Sequence, residues 1–236
     1  MKPTGLTVLL LLATVPARSE WSLAAYAGGT RTHSSSIDFT RAGSEADFRL
    51  EDVSFESRSF DSPIYYGYRA GYFFNDWFGV EAELIHAKVH AETEREVRIA
   101  GTVDGEPIER TAPMEDYVSR FDISHGVNLL LANAVFRRAL GADADSSWLV
   151  LTGRVGMGSS VPHPETTVLG ESQEQYEVGG LSLQAAAGVE VRLWRGLFAL
   201  AEYKFTHAKM DLQIAGGAAM TTLDTHHGVA GLGVRF

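Results

Sequence analysis

Residues 78–84 read Phe78-Gly79-Val80-Glu81-Ala82-Glu83-Leu84, an alternation of apolar and acidic side chains. A period of two predicts a β-strand with one apolar face and one polar face. A charged side chain that faces lipid at mid-membrane depth costs about 2 to 4 kcal/mol. The stretch therefore predicts a strand of a transmembrane β-barrel, with Glu81 and Glu83 in the lumen and the apolar side chains toward lipid.

Eight such alternating stretches follow one another along the chain, joined by connections that are short and long in turn. Short periplasmic turns that alternate with long outer loops are typical of outer-membrane barrels, whose even strand number puts both termini on the periplasmic side. We therefore expect an all-β fold, a single eight-stranded antiparallel transmembrane up-and-down barrel. The short connections are 75–77, 141–147 and 194–196, and the long ones are about 34–57, 91–117, 159–177 and 214–221.

The first residues have the features of a secretory leader. Lys2 supplies a positive start, Leu6 to Val15 form an apolar run, and small residues precede a cleavage site after Ala17. A transmembrane anchor is the alternative, but a helix that spans a bilayer needs roughly 20 apolar residues. We predict a signal peptide at 1–17 and a barrel domain at 18–236.

Composition narrows the location and the partners. A mean hydropathy of −0.05 is too polar for a helical membrane protein, but it suits strands in which every second residue faces lipid. The absence of cysteine excludes thiolate catalysis, and a net charge of −10 argues against nucleic acid as a partner. We expect a monomer in the outer membrane of a Gram-negative bacterium, surrounded by lipid. We expect the outer-membrane assembly machinery to recognise the aromatic Phe236 at the end of the last strand.

Alternation also assigns charged side chains to the lumen. An eight-stranded barrel has an interior just wide enough for side chains to fill. The inward charges therefore predict a packed structural ion-pair network and no pore. Its predicted members are Arg69, Glu81, Glu83, Arg154, Glu190, Glu202 and Lys204.

Two segments resemble each other, since 81–88 and 202–209 each carry a Glu five residues before a His-Ala-Lys triplet. Extended alternation places the histidines and lysines outward, at the height of the outer-leaflet headgroups. Two interpretations stay open for Lys88 and Lys209, namely lysines that snorkel at the interface or contacts with the phosphates and sugars of lipid A. His207, His226 and His227 are interpreted as interfacial or loop residues.

Five segments resemble the lipid A oxidase family of outer-membrane barrels in order and spacing across nearly the whole mature chain. They are Ser62–Arg69, His86–Val89, His125–Leu130, Gly158–Glu165 and Glu202–Lys204. The resemblance implies oxygen-dependent oxidation of the proximal glucosamine of lipid A to 2-aminogluconate. One departure is His125, which stands before Gly126 where the family pattern leads us to expect an acidic residue.

We expect the chemistry of such an oxidase near the outer rim. His86, His125, Asn128 and His163 are the predicted catalytic residues, because imidazoles act as general bases near neutral pH. Reaction with dioxygen needs a redox metal or cofactor, and His86, His163 and Glu165 are the predicted ligands of a divalent metal ion. Alternation directs His86 and Asn128 outward but His125 inward, so a shared site requires a break in the strands.

The predicted substrate-binding residues are Tyr66, Lys88 and Lys209. Two other functions remain open. One is a non-catalytic barrel whose long polar loops serve adhesion or envelope integrity. The other is a lipid A deacylase, which requires a serine and a histidine on the outward face, and Ser124 near His86 is the pair that the sequence offers.

Overall fold

The computed structural model describes residues 19–41, 43, 46–141 and 147–236, so the predicted signal peptide at 1–17 lies outside the described residues. The strands are β1 (Glu20–Thr32), β2 (Ser35–Arg41), β3 (Ala46–Val53), β4 (Phe55–Glu56), β5 (Tyr66–Phe73), β6 (Phe78–His86), β7 (Val89–Ala91), β8 (Glu96–Val103), β9 (Glu106–Pro113), β10 (Val118–Ile123), β11 (Leu129–Ala139), β12 (Leu149–Ser160), β13 (Glu165–Val168), β14 (Glu171–Glu174), β15 (Leu181–Trp194), β16 (Leu197–Ile214) and β17 (Gly217–Arg235). A short 3-10 helix spans Met114–Asp116. Within these residues, no helix has the length and apolarity needed to cross a bilayer.

Eight of these strands form a closed antiparallel barrel in the order β1-β5-β6-β11-β12-β15-β16-β17, and β17 pairs back with β1 from Ser22↔Arg235 to Thr32↔Thr225. The predicted fold class is therefore confirmed. The alternation on β6 is also as predicted, since Glu81 and Glu83 are buried while Val80 and Ala82 are exposed.

The outer connections differ from the prediction. The expected long loop at 214–221 is wrong, because β16 and β17 stay paired up to Ile214↔Gly217 and leave a two-residue turn. Gly216 in this turn has a φ of +72°, a conformation that glycine adopts without strain. The pairing continues because alternate side chains of this tall hairpin, such as Met210 and Leu212, are fully buried. The other long connections contain strands of their own.

These additional strands build a β-sandwich on the outer end of the barrel. β2, β3, β8 and β9 extend the sheet from the upper part of β17, and a second sheet has the order β14-β13-β10-β7-β4. Phe39 stacks on Phe48 with ring centroids 5.0 Å apart and meets Phe121 edge-on at 6.1 Å. The apolar core continues without a break from these rings to Ile85 and Leu129 at the end of the barrel. The outer end is thus a packed layer.

Glu83 lies at the centre of the lumen. Its carboxylate accepts hydrogen bonds from the Arg69 guanidinium (2.8 Å), the Tyr26 hydroxyl (2.5 Å) and the Lys204 ammonium. The Asn133 and Gln184 amides add contacts of 2.8 and 2.7 Å. A buried carboxylate is tolerated because charged and polar partners replace its hydration.

Arg154 connects the remaining members of the network. It lies 3.1 Å from Glu81 and 3.6 Å from Glu190, and it pairs with Glu202. Glu202 in turn pairs with Arg69. All seven residues of the predicted lumen network are therefore joined by ion pairs, and the charges hold neighbouring strands together across the interior.

We expect Glu83→Gln to lower the free energy of unfolding by about 3 to 5 kcal/mol, because it removes a charge partner from the buried Lys204 and Arg69. The measurement is the unfolding temperature and denaturant midpoint of the purified barrel, followed by heat-modifiable migration on a gel. Glu109→Gln is the control, since Glu109 pairs with Arg98 on the exposed surface and the loss of such a pair leaves the stability almost unchanged. Equal stability of the two variants would contradict a structural role for the network.

Candidate functional site

The candidate site lies above the outer ends of β6, β11 and β12, where two chain segments leave the barrel. In the first, Gly126 and Asn128 have φ values of +101° and +48°, which break the strand alternation. Gly126 also packs so closely that a Cβ there would lie 2.4 Å from the His86 ring. In the second, His163 stands between two prolines, and its amide donates to the Gly126 carbonyl at 3.3 Å. The break that a shared site requires is present.

Asn128 orients His86. The Asn128 Nδ2 donates to the carbonyls of Gly126 (3.1 Å) and Val161 (3.0 Å). Since carbonyls only accept, Oδ1 is the atom that faces the His86 Nδ1, at 2.8 Å. The hydrogen-bond network therefore assigns the proton of neutral His86 to Nδ1 and leaves the lone pair on Nε2.

The His86 ring is held from its other side as well. It stacks on Tyr66 with centroids 4.7 Å apart and planes 9° from parallel. The residue is 5% exposed, and Nε2 is buried without a hydrogen-bond partner among the described residues. A fixed imidazole with a free lone pair is suited to accept a proton.

Next to this histidine lies a group of potential metal ligands formed by His125, His163, Glu165 and Glu174. Their ligating atoms all lie within 4.8 Å of one another. The His125 Nδ1 is 3.1 Å from the Glu165 Oε1, and the His163 Nε2 is 3.6 Å from the Glu174 Oε1. The His163 Nδ1 is buried and has no partner among the described residues.

These four residues fit a divalent metal ion. Nitrogen and oxygen ligands at about 2.0 to 2.2 Å from one ion are separated by at most about 4 Å, so small side-chain movements would bring the four donors to coordination distance. Two imidazoles and two carboxylates form a donor set that suits first-row divalent metals, and histidine with carboxylate and open positions is the arrangement of non-haem iron sites that react with dioxygen.

Arg120 binds the carboxylates of Glu165 and Asp122. It forms an ion pair with Glu165 and lies 3.0 Å from Asp122. Burial disfavours the charged form of Glu165, but the Ser124 hydroxyl, Arg120 and His125 outweigh it and lower the pKa of this carboxyl. Burial also disfavours the charged form of Asp122, but hydrogen bonds from His90 and Arg120 outweigh this effect and lower the pKa of Asp122. Both groups are therefore ionised at neutral pH.

The outer sheet arranges these groups in one row. Glu56, His90, Asp122, Glu165 and Glu174 occupy directly paired positions on β4, β7, β10, β13 and β14. Directly paired residues share a face of a sheet, so the five side chains line up across it. Sequence reasoning missed four of the five, because no local pattern reveals the order in which distant strands pair.

The structure gathers some of the predicted site residues and separates others. His163 and Glu165 join the ligand group, whereas His86 is connected to it through Asn128, and His125 and Glu174 supply the other donors. Lys88, expected at the rim, is buried and donates to the Asp61 carbonyl at 3.1 Å.

Lys209 is exposed on β16, on the face opposite to the buried Met210, which contacts Ser160 of β12. Among the described residues, no hydrogen bond or ion pair joins the Lys209 side chain to the ligand group.

Ser124, the serine expected to pair with His86 in a deacylase, contacts other residues in the structure. Ser124 donates to Glu165 and lies 3.1 Å from the His125 Nδ1, the same nitrogen that is 3.1 Å from Glu165. A nucleophilic relay requires the serine and the carboxylate on opposite ring nitrogens. His86 has its Nδ1 bonded to Asn128, as the base of such a relay requires, but its Nε2 has no hydrogen-bond partner among the described residues, so Ser124 does not form the relay with His86 either.

The site begins where the lipid-facing surface ends. Leu84 and Leu130, a directly paired couple on β6 and β11, lie two residues from His86 and Asn128 respectively and on the same outward face. Leu130 is 49% exposed and lines an apolar groove on the outer wall together with Leu84 and Met157. The polar groups thus stand one step beyond the outermost lipid-facing side chains.

The sequence matches the model of the family described as "Outer membrane protein beta-barrel domain" over residues 5–236. No curated protein sequence matches the chain. Among solved structures, OprG from Pseudomonas aeruginosa is similar, with 12% identity, a TM-score of 0.48, and coverage of 93% of this chain and 97% of OprG. Ail from Yersinia pestis (15%, 0.39, 92% and 99%) and the protease OmpT from Escherichia coli (7%, 0.42, 92% and 96%) are also similar.

The lowered pKa values of Asp122 and Glu165 predict acid sensitivity of the outer sheet. A carboxyl whose pKa is lower in the folded state contributes stability above its unfolded value, near about 4, and this contribution disappears as the pH falls through the folded value. We expect hydrogen exchange in β10 and β13, corrected for the intrinsic rate, to accelerate below about pH 4, while β6 stays protected.

Arg120→Gln should accelerate exchange in β10 and β13 at neutral pH and make it less dependent on acid, because it removes a cation that both carboxylates share and brings their folded pKa values closer to the unfolded ones. Arg110→Gln is the control, since Arg110 lies 3.8 Å from Asp116 in an exposed pair away from β13. Equal exchange rates of β10 and β13 in both variants, at neutral pH and in acid, would contradict this account of the electrostatics.

Proposed function

Since this chain belongs to the outer-membrane protein β-barrel family, we propose that it acts on lipid A in the outer leaflet and oxidises the proximal glucosamine to 2-aminogluconate. The protein is a transmembrane β-barrel of the outer membrane of a Gram-negative bacterium. The substrate is a lipid A with a free anomeric hydroxyl. The resemblance of five segments to lipid A oxidases suggests this reaction.

One observation carries the proposal. A group of two imidazoles and two carboxylates, with the oriented His86 beside it, lies one step above the lipid-facing Leu84 and Leu130. A lipid A molecule with its acyl chains against this wall would hold its sugars at the height of these groups. Reactive side chains at the headgroup level support an enzyme whose substrate is a membrane glycolipid.

The reaction is a two-electron oxidation. The anomeric carbon loses its hydrogen and the anomeric hydroxyl loses its proton, so that the hemiacetal becomes a lactone. Dioxygen takes up the two electrons and two protons and leaves as hydrogen peroxide. Water then opens the lactone to the acid, and the product has gained one oxygen atom. A redox-active divalent metal, when bound, provides the route for electrons to dioxygen.

The residues of this chain have separate roles in the proposal. His125, His163, Glu165 and Glu174 would hold the metal. The His86 Nε2 accepts the proton of the anomeric hydroxyl, and Asn128 is a positioning residue that keeps the proton of His86 on Nδ1.

Of the three predicted substrate-binding residues, Tyr66 is the one in contact with the site, through its stacking on His86. Lys88 is buried and Lys209 lies on β16, so neither has a role in this reaction scheme.

A non-catalytic role in adhesion or envelope integrity is equally consistent with the family and the fold. Deacylation finds less support, because Ser124 and Glu165 approach the same nitrogen of His125. The three functions predict different changes in the mass of lipid A. Oxidation adds one oxygen atom, deacylation removes an acyl chain, and a structural role changes nothing.

The decisive experiment is mass spectrometry of lipid A incubated with the purified barrel, dioxygen and Fe²⁺. We expect the wild-type protein to add one oxygen atom and His163→Ala to be inactive, although the variant still migrates as a folded barrel. His207→Ala is the control, because His207 pairs with Asp224 on β16 away from the site (2.7 Å). Unchanged lipid A with folded wild-type protein would overturn the oxidase.

A second prediction separates the base from the ligands. His86→Ala should abolish oxidation and leave the content of bound divalent metal unchanged, because His86 accepts a proton and does not belong to the ligand group. His163→Ala should lower both. Metal analysis of the two purified variants checks this, and loss of metal from His86→Ala would transfer His86 to the ligand set.

A further inference from the structure

A second outward patch lies on the other side of the barrel, where β1, β17 and β16 meet. Gly29, Gly228 and Tyr203 are directly paired neighbours on the lipid-facing surface. One step farther out, Arg31 and Phe205 flank His226 in the same way. A floor of small residues thus changes abruptly into a cationic and aromatic row at the outer rim.

The imidazoles in this patch form an unusual pair. The His33 Nε2 and the His226 Nε2 are 2.6 Å apart, and the Tyr203 hydroxyl contacts the other nitrogen of His226. A hydrogen bond between two imidazole nitrogens requires a proton on one of them. Both ring nitrogens of His226 are therefore committed. When the Tyr203 hydroxyl donates to Nδ1, His226 donates from Nε2 to His33, and a neutral His33 then carries its own proton on Nδ1. This N–H is the donor that the pair leaves for a ligand, near the exposed Arg31.

The charge of the patch contrasts with that of the whole chain, which is −10. In the part of the chain that the structure describes, no acidic side chain pairs with Arg31. The nearest acid on this face of β17 is Asp224, and His207 binds it at 2.7 Å. The patch is thus complementary to an anion.

An exposed aromatic ring borders the patch. Phe60 is 81% exposed, and its ring lies over Gly29, 3.7 Å from the position of a Cβ there. Its loop is fixed to β1, because Ser59 accepts the Thr30 amide at 3.1 Å and Ser57 donates to the Thr30 carbonyl at 2.5 Å. A large apolar side chain held in this position over the lipid-facing wall is explained by a contact with lipid.

Phe60 and Tyr203 border two adjoining hollows of about 650 and 380 Å³. The lower hollow has a floor of Ala27, Gly228 and Ala230. The upper hollow reaches Arg31 and His226. A shallow apolar surface that leads to a cationic end matches the polarity of a lipid with an anionic headgroup.

We propose that this patch is a binding site for a lipid phosphate, occupied by a phosphate of lipid A. The Arg31 guanidinium and the His33 Nδ1 donate to the phosphate, and one acyl chain lies between Phe60 and Tyr203. Lipid A is favoured over a phospholipid because the patch lies at the outer rim, in the leaflet that lipid A occupies. The site is separate from the metal-ligand group above β11 and β12 and does not rest on the proposed oxidation.

The test uses the full barrel in detergent and native mass spectrometry with three probes, which are bisphosphorylated lipid A, the same lipid A without phosphates, and phosphatidylglycerol. We expect bisphosphorylated lipid A to bind the wild-type protein at least tenfold more tightly than either other probe. Arg31→Gln should remove about tenfold of this affinity, the effect of one charge-assisted hydrogen bond. It should leave the binding of dephosphorylated lipid A unchanged.

Arg195→Gln is the matched control, because it removes one exposed arginine from the turn between β15 and β16 at the opposite end of the barrel. Phe60→Ala should weaken the binding of both forms of lipid A by a similar factor, since it removes only the contact with the acyl chain. Equal binding of the two lipid A forms to the wild type, or equal losses in Arg31→Gln and Arg195→Gln, would overturn the phosphate site. Equal binding of phosphatidylglycerol and lipid A would overturn the choice of lipid.

Discussion

The hydrocarbon core of a membrane offers no hydrogen bonds to the backbone, and this constraint governs the whole structure. Every amide in the membrane must find its partner on a neighbouring strand, so the sheet has to close on itself. Because β1 and β17 close the sheet, successive side chains along every barrel strand alternate strictly between the lumen and the lipid. From that alternation follow the apolar wall, the buried charges around Glu83, and the outward direction of His86.

The candidate chemistry is concentrated where this ladder stops. Within the barrel, side chains face either lipid or the lumen. The lumen is packed with side chains, and the lipid-facing wall is apolar, so neither side presents polar groups to a substrate. Beyond the ends of β11 and β12, the left-handed conformations at Gly126 and Asn128 and the prolines around His163 release the chain from alternation. Side chains that a regular strand would send to opposite faces then meet in one group. The outer sheet adds the row from Glu56 to Glu174, in which Arg120 pairs with Glu165 and Asp122, and His90 with Asp122.

The membrane also links the two outward surfaces. The ligand group beyond Leu84 and Leu130 and the cationic patch at Arg31 both begin one step above the apolar wall, on different sides of the barrel. In the two proposals, each surface meets headgroups of the outer leaflet while its lower edge contacts acyl chains. His125 and Arg31 are exposed at these two surfaces, and the proposals have a membrane lipid approach each of them from the side of the barrel, within the leaflet.

Alternation is a local property, and for this reason the sequence alone determined the eight-stranded barrel, the members of the lumen network and the lipid-facing side of β6. The resemblance to lipid A oxidases, and the side chains that such chemistry needs, named His125, Asn128, His163 and Glu165, but the sequence could not say which of them meet. Only the tertiary structure decided that Glu174 joins His163, that Lys88 is buried, and that β16 and β17 form a tall hairpin. The order β14-β13-β10-β7-β4 joins segments that lie far apart in the chain, and such pairing depends on the packing of the whole core.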